Sequence, residues 1–439
     1  MLGTVRSVAD FTRTDVAHLL RRAGFFADRA EVDDLAAEAT WADVVDRVLD
    51  TSASPPDTTP PAVVDPDAPF LDTIIAAISY WMDRMATTPT PIVEKTTFFW
   101  HGILTSSAPE SPMAHVFEQV ATWRRLGMGD IHELVQAMAI DPAMLDYLDN
   151  QSNVKSAPNE NFARELMELF TMGNGTFTEA DVVAMARAWT GHNLTYDTGR
   201  YVFRPAQHDT GLKTLFGITK NWDGPATITE ILRGSKQGVS ARYLAGRVWS
   251  SFAHPGASPG LLDALRDELI AVDLDMTAFL RVVFLRPEFR DPATRVALVR
   301  SPVEWEVAIM RATGLTLSQM KVAQVQQRLG QVLYRPPNVS GWRQNRAWIS
   351  SSAQWAKGII AANVQSALDA AGTFDDLAPM STADAVDEVL ARFGIDAPAD
   401  ATRQHLVDYL AGERAAGRGG PATATLAALV TLTPDFQLA

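Results

Sequence analysis

The stretch PNENFARELMELFTMG, residues 158–173, places two asparagines, an arginine and three glutamates in an otherwise apolar segment. On a helical wheel of ~100° per residue, Glu165 and Glu168 lie within ~40° of Asn161, with Arg164 beside them. Carboxylates three residues apart on a helix can share a divalent cation or divide general acid and base roles, and an arginine can hold an anionic group. The pattern predicts Arg164, Glu165 and Glu168 as catalytic residues and Asn161 as a binding residue.

The same stretch also fits an ordinary solvated helix face. Asn159 suits the N-cap and Gly173 suits the position after the last helical residue. Arg164 has possible ion-pair partners four residues away on both sides, Glu160 and Glu168. Because charged faces are usually only hydrated, the pattern by itself leaves both interpretations open.

A second set of reactive side chains lies in the irregular segment FRPAQHDTGLKTLFG. His208 and Asp209 are adjacent and could move a proton, and Lys213 could bind an anionic group; polar residues in loops near glycine often have such roles. We predict His208 and Asp209 as catalytic and Lys213 as binding. The alternative is an Asx-type turn that carries a surface histidine.

Three further residues are predicted at the border of a pocket. His101 lies in the apolar segment FFWHGIL, where a histidine is more often a hydrogen-bonded core residue than a ligand. Arg335 and Trp342 delimit RPPNVSGW, whose prolines and glycine are also explained by turn geometry alone. We interpret all three as binding residues, with the structural explanation as the alternative.

Composition excludes several classes of site. The 439 residues contain no cysteine, so disulfides, thiolate nucleophiles and cysteine-bound metal clusters are excluded. The net charge of −14 predicts that nucleic acid is not a partner, since an acidic surface repels phosphate backbones. No apolar stretch reaches the ~18 residues of a membrane span. The first residues also lack a secretory signal pattern, which predicts a cytoplasmic protein.

Helical periodicity extends over nearly the whole chain and predicts a mostly α protein, a large multi-helix globular bundle with at most a minor β element. Thr14 is the expected cap of the first helix and Thr178 that of the helix after the motif. Six prolines in residues 51–69 predict a surface loop. We divide the chain into a helical domain, 1–350, and a C-terminal helical extension packed on it, 351–439.

Eight stretches, in order, carry a resemblance to a known family: HLLRRAGFF, FFWHGIL, MLDYLDN, NENFARELMELFTMG, TEADVVAMARAWTG, HDTGLKTLFG, RSPVEW and GQVLYRPPNVSGW. Together they resemble the bacterial family catalogued as domain of unknown function 1800, from about His18 to Ile349. The resemblance implies a large helical protein. Many relatives carry export signals, and many are encoded beside a second family that is similar to sulfatases and alkaline phosphatases.

This chain departs from its relatives at two points. Relatives commonly have a second histidine two positions after the residue that matches His101, where this chain has Ile103. The usual leader is also missing. A paired-histidine metal site and export are therefore not carried over from the resemblance.

These observations support two hypotheses. The first is a metal-assisted hydrolase or transferase that acts on a polar or anionic substrate at the NENFARELMEL helix. Glu165 and His208 would bind a divalent metal ion, the possible cofactor. The alternative is a non-catalytic helical scaffold that binds a partner protein, such as the sulfatase-like neighbour.

Overall fold

Helices make up most of the computed structural model, which describes residues 10–54 and 69–439. The mostly α fold class is thus confirmed, while most of the predicted proline-rich loop, 51–69, lies outside the described residues. The first ten helices are α1 Arg13–Ala23, α2 Arg29–Leu35, α3 Trp41–Leu49, α4 Phe70–Thr87, α5 Pro91–His101, α6 Met113–Leu126, α7 Ile131–Ala139, α8 Pro142–Tyr147, α9 Asn161–Glu165 and α10 Glu179–Ala188.

The remaining helices follow a short irregular region. They are α11 Gly224–Leu232, α12 Gln237–Phe252, α13 Pro259–Ala271, α14 Met276–Leu285, α15 Pro292–Arg295, α16 Pro302–Thr313, α17 Gln326–Leu329, α18 Ser351–Ala371, α19 Thr382–Arg392, α20 Asp400–Ala415, α21 Gly419–Leu432 and α22 Pro434–Gln437. Within the described ranges, no helix is both long enough and apolar enough to cross a membrane.

The β structure consists of two small antiparallel hairpins between α10 and α11. Strand β1, His192–Leu194, pairs with β2, Tyr201–Phe203, so that Asn193 faces Val202. Strand β3, Lys213–Leu215, pairs with β4, Ile218–Lys220. This is the minor β element that the irregular sequence pattern predicts.

Short polar side chains begin many helices, because their oxygens accept hydrogen bonds from amides that lack an intrahelical partner. Thr178 caps α10 in a capping box with Asp181, as predicted. The predicted cap of α1 is wrong by two residues: Thr12 caps this helix, because Asp15 then lies at the third helical position and completes the box. Position 14 lies inside the helix.

A continuous apolar core connects the N-terminal and C-terminal helices. Its members include the fully buried Trp81, Trp100 and Trp189 as well as Leu390 and Val430 from the last part of the chain. Trp305 on α16 donates a hydrogen bond from its indole nitrogen to the Thr431 carbonyl (2.8 Å). The C-terminal helices therefore contact the preceding ones through buried surface, and the domain boundary at residue 350 stays a prediction.

Candidate functional site

The motif helix, Asn161–Thr171, changes its winding halfway. It begins as α9 and continues from Leu166 to Thr171 as a π-helix, in which the Met172 amide donates to the Met167 carbonyl (2.9 Å). The motif ends at Gly173, whose positive φ of 82° is the left-handed conformation expected for a helix-terminating glycine. Single π turns often mark functional sites in helices.

Arg164 pairs with two carboxylates, one just before the motif helix and one on α10. It contacts Glu160 one turn earlier (3.2 Å) and Glu179 on α10 (2.7 Å). Within the described residues the predicted pair with Glu168 does not form, and Glu168 accepts a hydrogen bond from Nδ2 of the Asn174 side chain instead (3.1 Å). Arg164 thus connects the motif helix to α10 and has its charge neutralised there.

Glu165 is the residue of the motif with the least compensated charge. It is half-buried, and in the part of the chain that the structure describes it makes no hydrogen bond or ion pair. Burial and then the charge of Glu168 raise the pKa of Glu165. Burial, followed by the charges of Glu110 and Glu165, raises the pKa of Tyr147 to about 12. Asn161 is exposed, and its amide donates to the side chain of Asn159 (3.0 Å).

The segment that contains His208 forms a hydrogen-bonded loop. Asp209 accepts from the Gly211 amide (2.8 Å), which makes an Asx turn, and it pairs with Arg187 (2.7 Å). This ion pair lowers the pKa of Asp209. Nδ1 of His208 lies 2.8 Å from the Thr190 carbonyl, so this nitrogen carries the proton in the neutral ring.

Lys213 is buried beneath this loop. Its ammonium donates to three carbonyl oxygens, those of Asp209 (2.5 Å), Gly211 (3.0 Å) and Trp222 (2.9 Å), and to the side chain of Asn221 (3.1 Å). An ammonium has three donors, so these acceptors already use its full capacity. Lys213 therefore stabilises the conformation of the loop through these hydrogen bonds.

The predicted metal ligands are not part of a larger ligand set. In the described ranges, no group of three or more histidine, aspartate or glutamate side chains is arranged to hold a metal ion. Glu165 lies on the motif helix, whereas His208 is held against Thr190 at the end of α10. No hydrogen bond connects the two residues in the described structure.

His101 lies in the core of the protein. It is fully buried, its Nε2 accepts from the Tyr334 amide (3.0 Å), and burial lowers its pKa to about 3. Its ring is 5.1 Å from that of Trp342, centroid to centroid. Arg335 is half-buried in the same turn, and its backbone amide donates to Val332 (3.1 Å).

Trp342 lines a pocket in which cationic side chains from distant parts of the chain converge. We call this the arginine pocket. Its empty volume is about 800 Å³, which includes space open to solvent. The cations are Arg21 and Arg22 on α1, Lys95 on α5, Arg247 on α12 and Arg300 just before α16.

The deepest cations of the arginine pocket are held by backbone carbonyls. Arg22 donates from Nη2 to the Thr294 carbonyl (2.6 Å), and Arg300 donates from Nη1 to the Phe436 carbonyl (2.8 Å). The Nε atoms of both are buried and without a hydrogen-bond partner in the described structure. Neutral carbonyls orient these guanidinium groups, but they do not neutralise them.

One acidic side chain, Glu304, lines the arginine pocket in the described structure. It forms an ion pair with Lys95 and also accepts from the Ser301 amide (2.7 Å), which completes the capping box of α16. Burial alone would raise the pKa of Glu304, but Lys95 outweighs it and the pKa is lowered. Five cationic side chains therefore share one carboxylate side chain.

Ala439 also lines the pocket, where its amide donates to the Leu298 carbonyl (2.9 Å).

Burial, with a smaller contribution from neighbouring cations, shifts the pKa values of the cations in the arginine pocket. Burial, followed by the charge of Arg21, lowers the pKa of both Arg22 and Arg300. Burial also lowers the pKa of Lys95, against the opposing effect of Glu304. Since guanidinium groups stay protonated in proteins, the lowered values mean that an anion in this pocket would relieve an electrostatic cost.

A hydrogen-bonded chain joins the arginine pocket to the motif helix. Arg247 donates from Nη1 to the Tyr243 hydroxyl (3.1 Å), and that hydroxyl donates to the Leu169 carbonyl in the π segment (2.7 Å). A Cβ at Gly173 would lie 2.9 Å from the Tyr243 ring. The glycine that ends the motif thus leaves room for the tyrosine that positions Arg247.

Sequence reasoning missed the arginine pocket, although its residues lie in stretches that carry the family resemblance. HLLRRAGFF, FFWHGIL, RSPVEW and GQVLYRPPNVSGW each contribute lining residues. A usable signal was present: Arg22 and Lys95 occur among apolar residues of α1 and α5, where an unpaired cation is costly.

Comparison with known proteins identifies the family. The profile described as "Protein of unknown function (DUF1800)" matches residues 18–438, so the chain belongs to this family. The match includes 351–438, nearly all of the segment that we predict as a C-terminal extension. Searches of curated proteins and of solved structures gave no match.

Proposed function

We propose that this protein binds an anionic ligand in the arginine pocket. One observation carries the proposal: five cationic side chains converge on a cavity that a single carboxylate side chain lines in the described structure. Arg22, Lys95 and Arg300 are each less than 10% exposed, at 2%, 7% and 3%. Buried charges normally have counter-charges, and an anionic ligand would supply the missing ones.

The arrangement of donors also favours an oxyanion. Guanidinium groups bind carboxylate, phosphate and sulfate oxygens through paired N–H donors, which adds directional preference to charge attraction. Ser301 and the amide groups of Gln331 and Asn345 add polar atoms to the same wall. Pockets of several hundred Å³ with a few converging polar groups are typical of small-molecule sites.

The hypotheses made from the sequence differ from this proposal in location. The metal-assisted hydrolase or transferase at Glu165, Glu168 and His208 stays a prediction, and so does the scaffold that binds a sulfatase-like partner. Arg164 and Asp209, predicted at the first of these sites, have neutralising partners in Glu179 and Arg187. In the described structure the arginine pocket gathers five cationic side chains around one carboxylate side chain, and we therefore assign the ligand to it.

Isothermal titration calorimetry on the full chain tests the proposal. The probes are inorganic phosphate, sulfate, phenyl phosphate, phenyl sulfate and benzoate, each titrated at constant ionic strength against a chloride background. We expect at least one of them to saturate a single site. If none does, the proposed function is wrong.

Two arginines on α12 provide a matched pair of variants. Arg247 lines the arginine pocket, whereas Arg242 pairs with Asp263 (2.9 Å) outside it. Arg247→Gln should lower the affinity for the anion by about tenfold, which is the scale of one lost charge-assisted hydrogen bond. Arg242→Gln should leave the affinity unchanged. Equal weakening in both variants would indicate a general surface effect and contradict the assignment to the pocket.

A further inference from the structure

The arginine pocket has a floor and a rim that differ in exposure. Arg22, Lys95 and Arg300 form a floor that is almost inaccessible to solvent, and the half-buried Glu304 pairs with Lys95. The rim consists of half-buried or exposed residues, among them Phe98, Gly102, Arg247, Leu298 and Gln344. A ligand that fills the pocket therefore meets charge at its inner end and a mixture of apolar and polar groups at its outer end.

The floor has the charge of a dianion site. Together with Glu304, its side chains carry three positive charges and one negative charge, an excess of two, and Arg21 adds a further positive charge that acts on Arg22 and Arg300. A phosphate monoester carries about −1.5 to −2 at pH 7, because its second pKa is about 6. A sulfate monoester or a carboxylate carries one negative charge and would leave the floor partly unbalanced. Charge balance in a buried site therefore favours the phosphate monoester.

The pocket is larger than a bare oxyanion. Its empty volume is about 800 Å³, which includes space open to solvent, and sites for small organic ligands typically have volumes of about 300–1,000 Å³. An organic group attached to an oxyanion on the floor would lie toward the rim, against Phe98 and Leu298.

We propose that the ligand is an organic phosphate monoester, with its phosphate on the floor of the arginine pocket and its organic group at the rim. This inference rests on the proposed function and names its ligand class. Arg22 and Arg300 provide the guanidinium donors, Lys95 provides the ammonium, and Arg247 contacts the ligand from the rim. Glu304 holds Lys95 in place and sets the net charge of the floor.

The test compares three probes on the wild-type protein at pH 8 and constant ionic strength. Phenyl phosphate and phenyl sulfate share their shape and differ in charge, and inorganic phosphate lacks the organic group. We expect phenyl phosphate to bind at least about tenfold more tightly than phenyl sulfate, since one more charge pair forms in a poorly hydrated site. We also expect it to bind more tightly than inorganic phosphate. A smaller preference over phenyl sulfate, or equal binding of phenyl and inorganic phosphate, would overturn the inference.

A titration at several pH values gives an independent result. The affinity for phenyl phosphate should decrease as the pH falls below about 6, where the phosphate becomes a monoanion. The affinity for phenyl sulfate should stay constant over the same range, because sulfate monoesters do not titrate there. Parallel pH dependence of both ligands would mean that a group of the protein is titrating and would contradict the charge argument.

The rim variant Phe98→Ala separates the two ends of the ligand. It should lower the affinity for phenyl phosphate several-fold and leave the affinity for inorganic phosphate unchanged. Circular dichroism checks that the variant is folded. Equal weakening of both probes would contradict the placement of the organic group. If phenyl phosphate and phenyl sulfate bind equally well, the proposed function stands and the ligand class fails. If no probe binds, both fail.

Discussion

The motif helix and the arginine pocket both place charged residues among apolar ones, yet they treat charge in opposite ways. On the motif helix, Arg164 is partly exposed and meets two carboxylates. In the arginine pocket, Arg22 and Arg300 are buried and are held by carbonyl oxygens. The charge of Arg164 is balanced by its own neighbours, whereas the charges of Arg22 and Arg300 are available to a ligand. Burial and local charge balance, rather than the number of charged residues, distinguish the two.

The two regions are nevertheless connected. The π segment of the motif helix presents the Leu169 carbonyl to Tyr243, and Tyr243 in turn accepts a hydrogen bond from Arg247 at the pocket rim. The most recognisable stretch of the sequence would then act at a distance from its own charged face. In that case its contribution to ligand binding is the positioning of Arg247.

The largest expected effect comes from removal of the carboxylate at the pocket floor. Glu304→Ala leaves Lys95, Arg22 and Arg300 without their counter-charge, and losing one partner of a buried pair costs about 3–5 kcal/mol. We expect the free energy of unfolding, measured by urea titration, to fall by this amount. Added sulfate should restore part of it.

A matched control for this variant is Glu179→Ala, which removes the exposed partner of Arg164 on the motif helix. It should change stability little, and added sulfate should not affect the difference. If Glu304→Ala were no more destabilising than Glu179→Ala, the floor of the arginine pocket would not be short of negative charge.

A buried carboxylate outside the pocket gives the next largest effect, and it depends on pH. Burial raises the pKa of Glu306 to about 8, although Lys357 opposes this, and both carboxylate oxygens lack hydrogen-bond partners in the described structure. A raised pKa means that folding favours the protonated acid. Its contribution is thus fully present below about pH 4.5 and is lost as the pH rises toward 8. The loss is on the order of 1.4 kcal/mol for each pH unit in this window.

Comparison with Glu306→Gln isolates this contribution. The lowered pKa of His101 acts in the opposite direction below pH 6.5, but it is common to both proteins. The stability of the variant relative to wild type should therefore increase between pH 5 and pH 8. A constant difference across this window would show that Glu306 does not titrate there.

A smaller effect is expected at the connection between the two regions. Tyr243→Phe removes the hydroxyl that joins Leu169 to Arg247 and should lower stability by about 1 kcal/mol. Oxyanion affinity, measured by calorimetry, should fall a few-fold because Arg247 is no longer held. If affinity is unchanged while stability falls, the chain from the motif helix to the pocket has only a structural role.

The smallest effect is expected on the motif helix itself. Arg164→Ala removes ion pairs with Glu160 and Glu179, and such partly exposed pairs contribute less than about 1 kcal/mol. The thermal midpoint should shift slightly, and anion affinity should not change. A loss of anion binding in this variant would place the ligand at the motif helix and contradict its assignment to the arginine pocket.

Local features of the structure follow from local sequence. The capping box at Thr178, the left-handed Gly173 and the Asx turn at Asp209 all depend on residues within a few positions of one another. The mostly helical class follows in the same way from the spacing of apolar residues. Thr14 shows the limit of this reasoning, since two threonines compete for one cap and the choice depends on Asp15.

The sequence by itself determined the fold class, most local turns and the family, because these depend on neighbouring residues and on an ordered series of motifs. Only the tertiary structure decided which charges are paired. Arg22, Lys95 and Arg300 are far apart in the chain, and their meeting in one cavity results from the packing of α1, α5 and α16. Charge balance is a property of distances in space, so a sequence pattern could show these cations but not that one carboxylate side chain lines their cavity in the described structure.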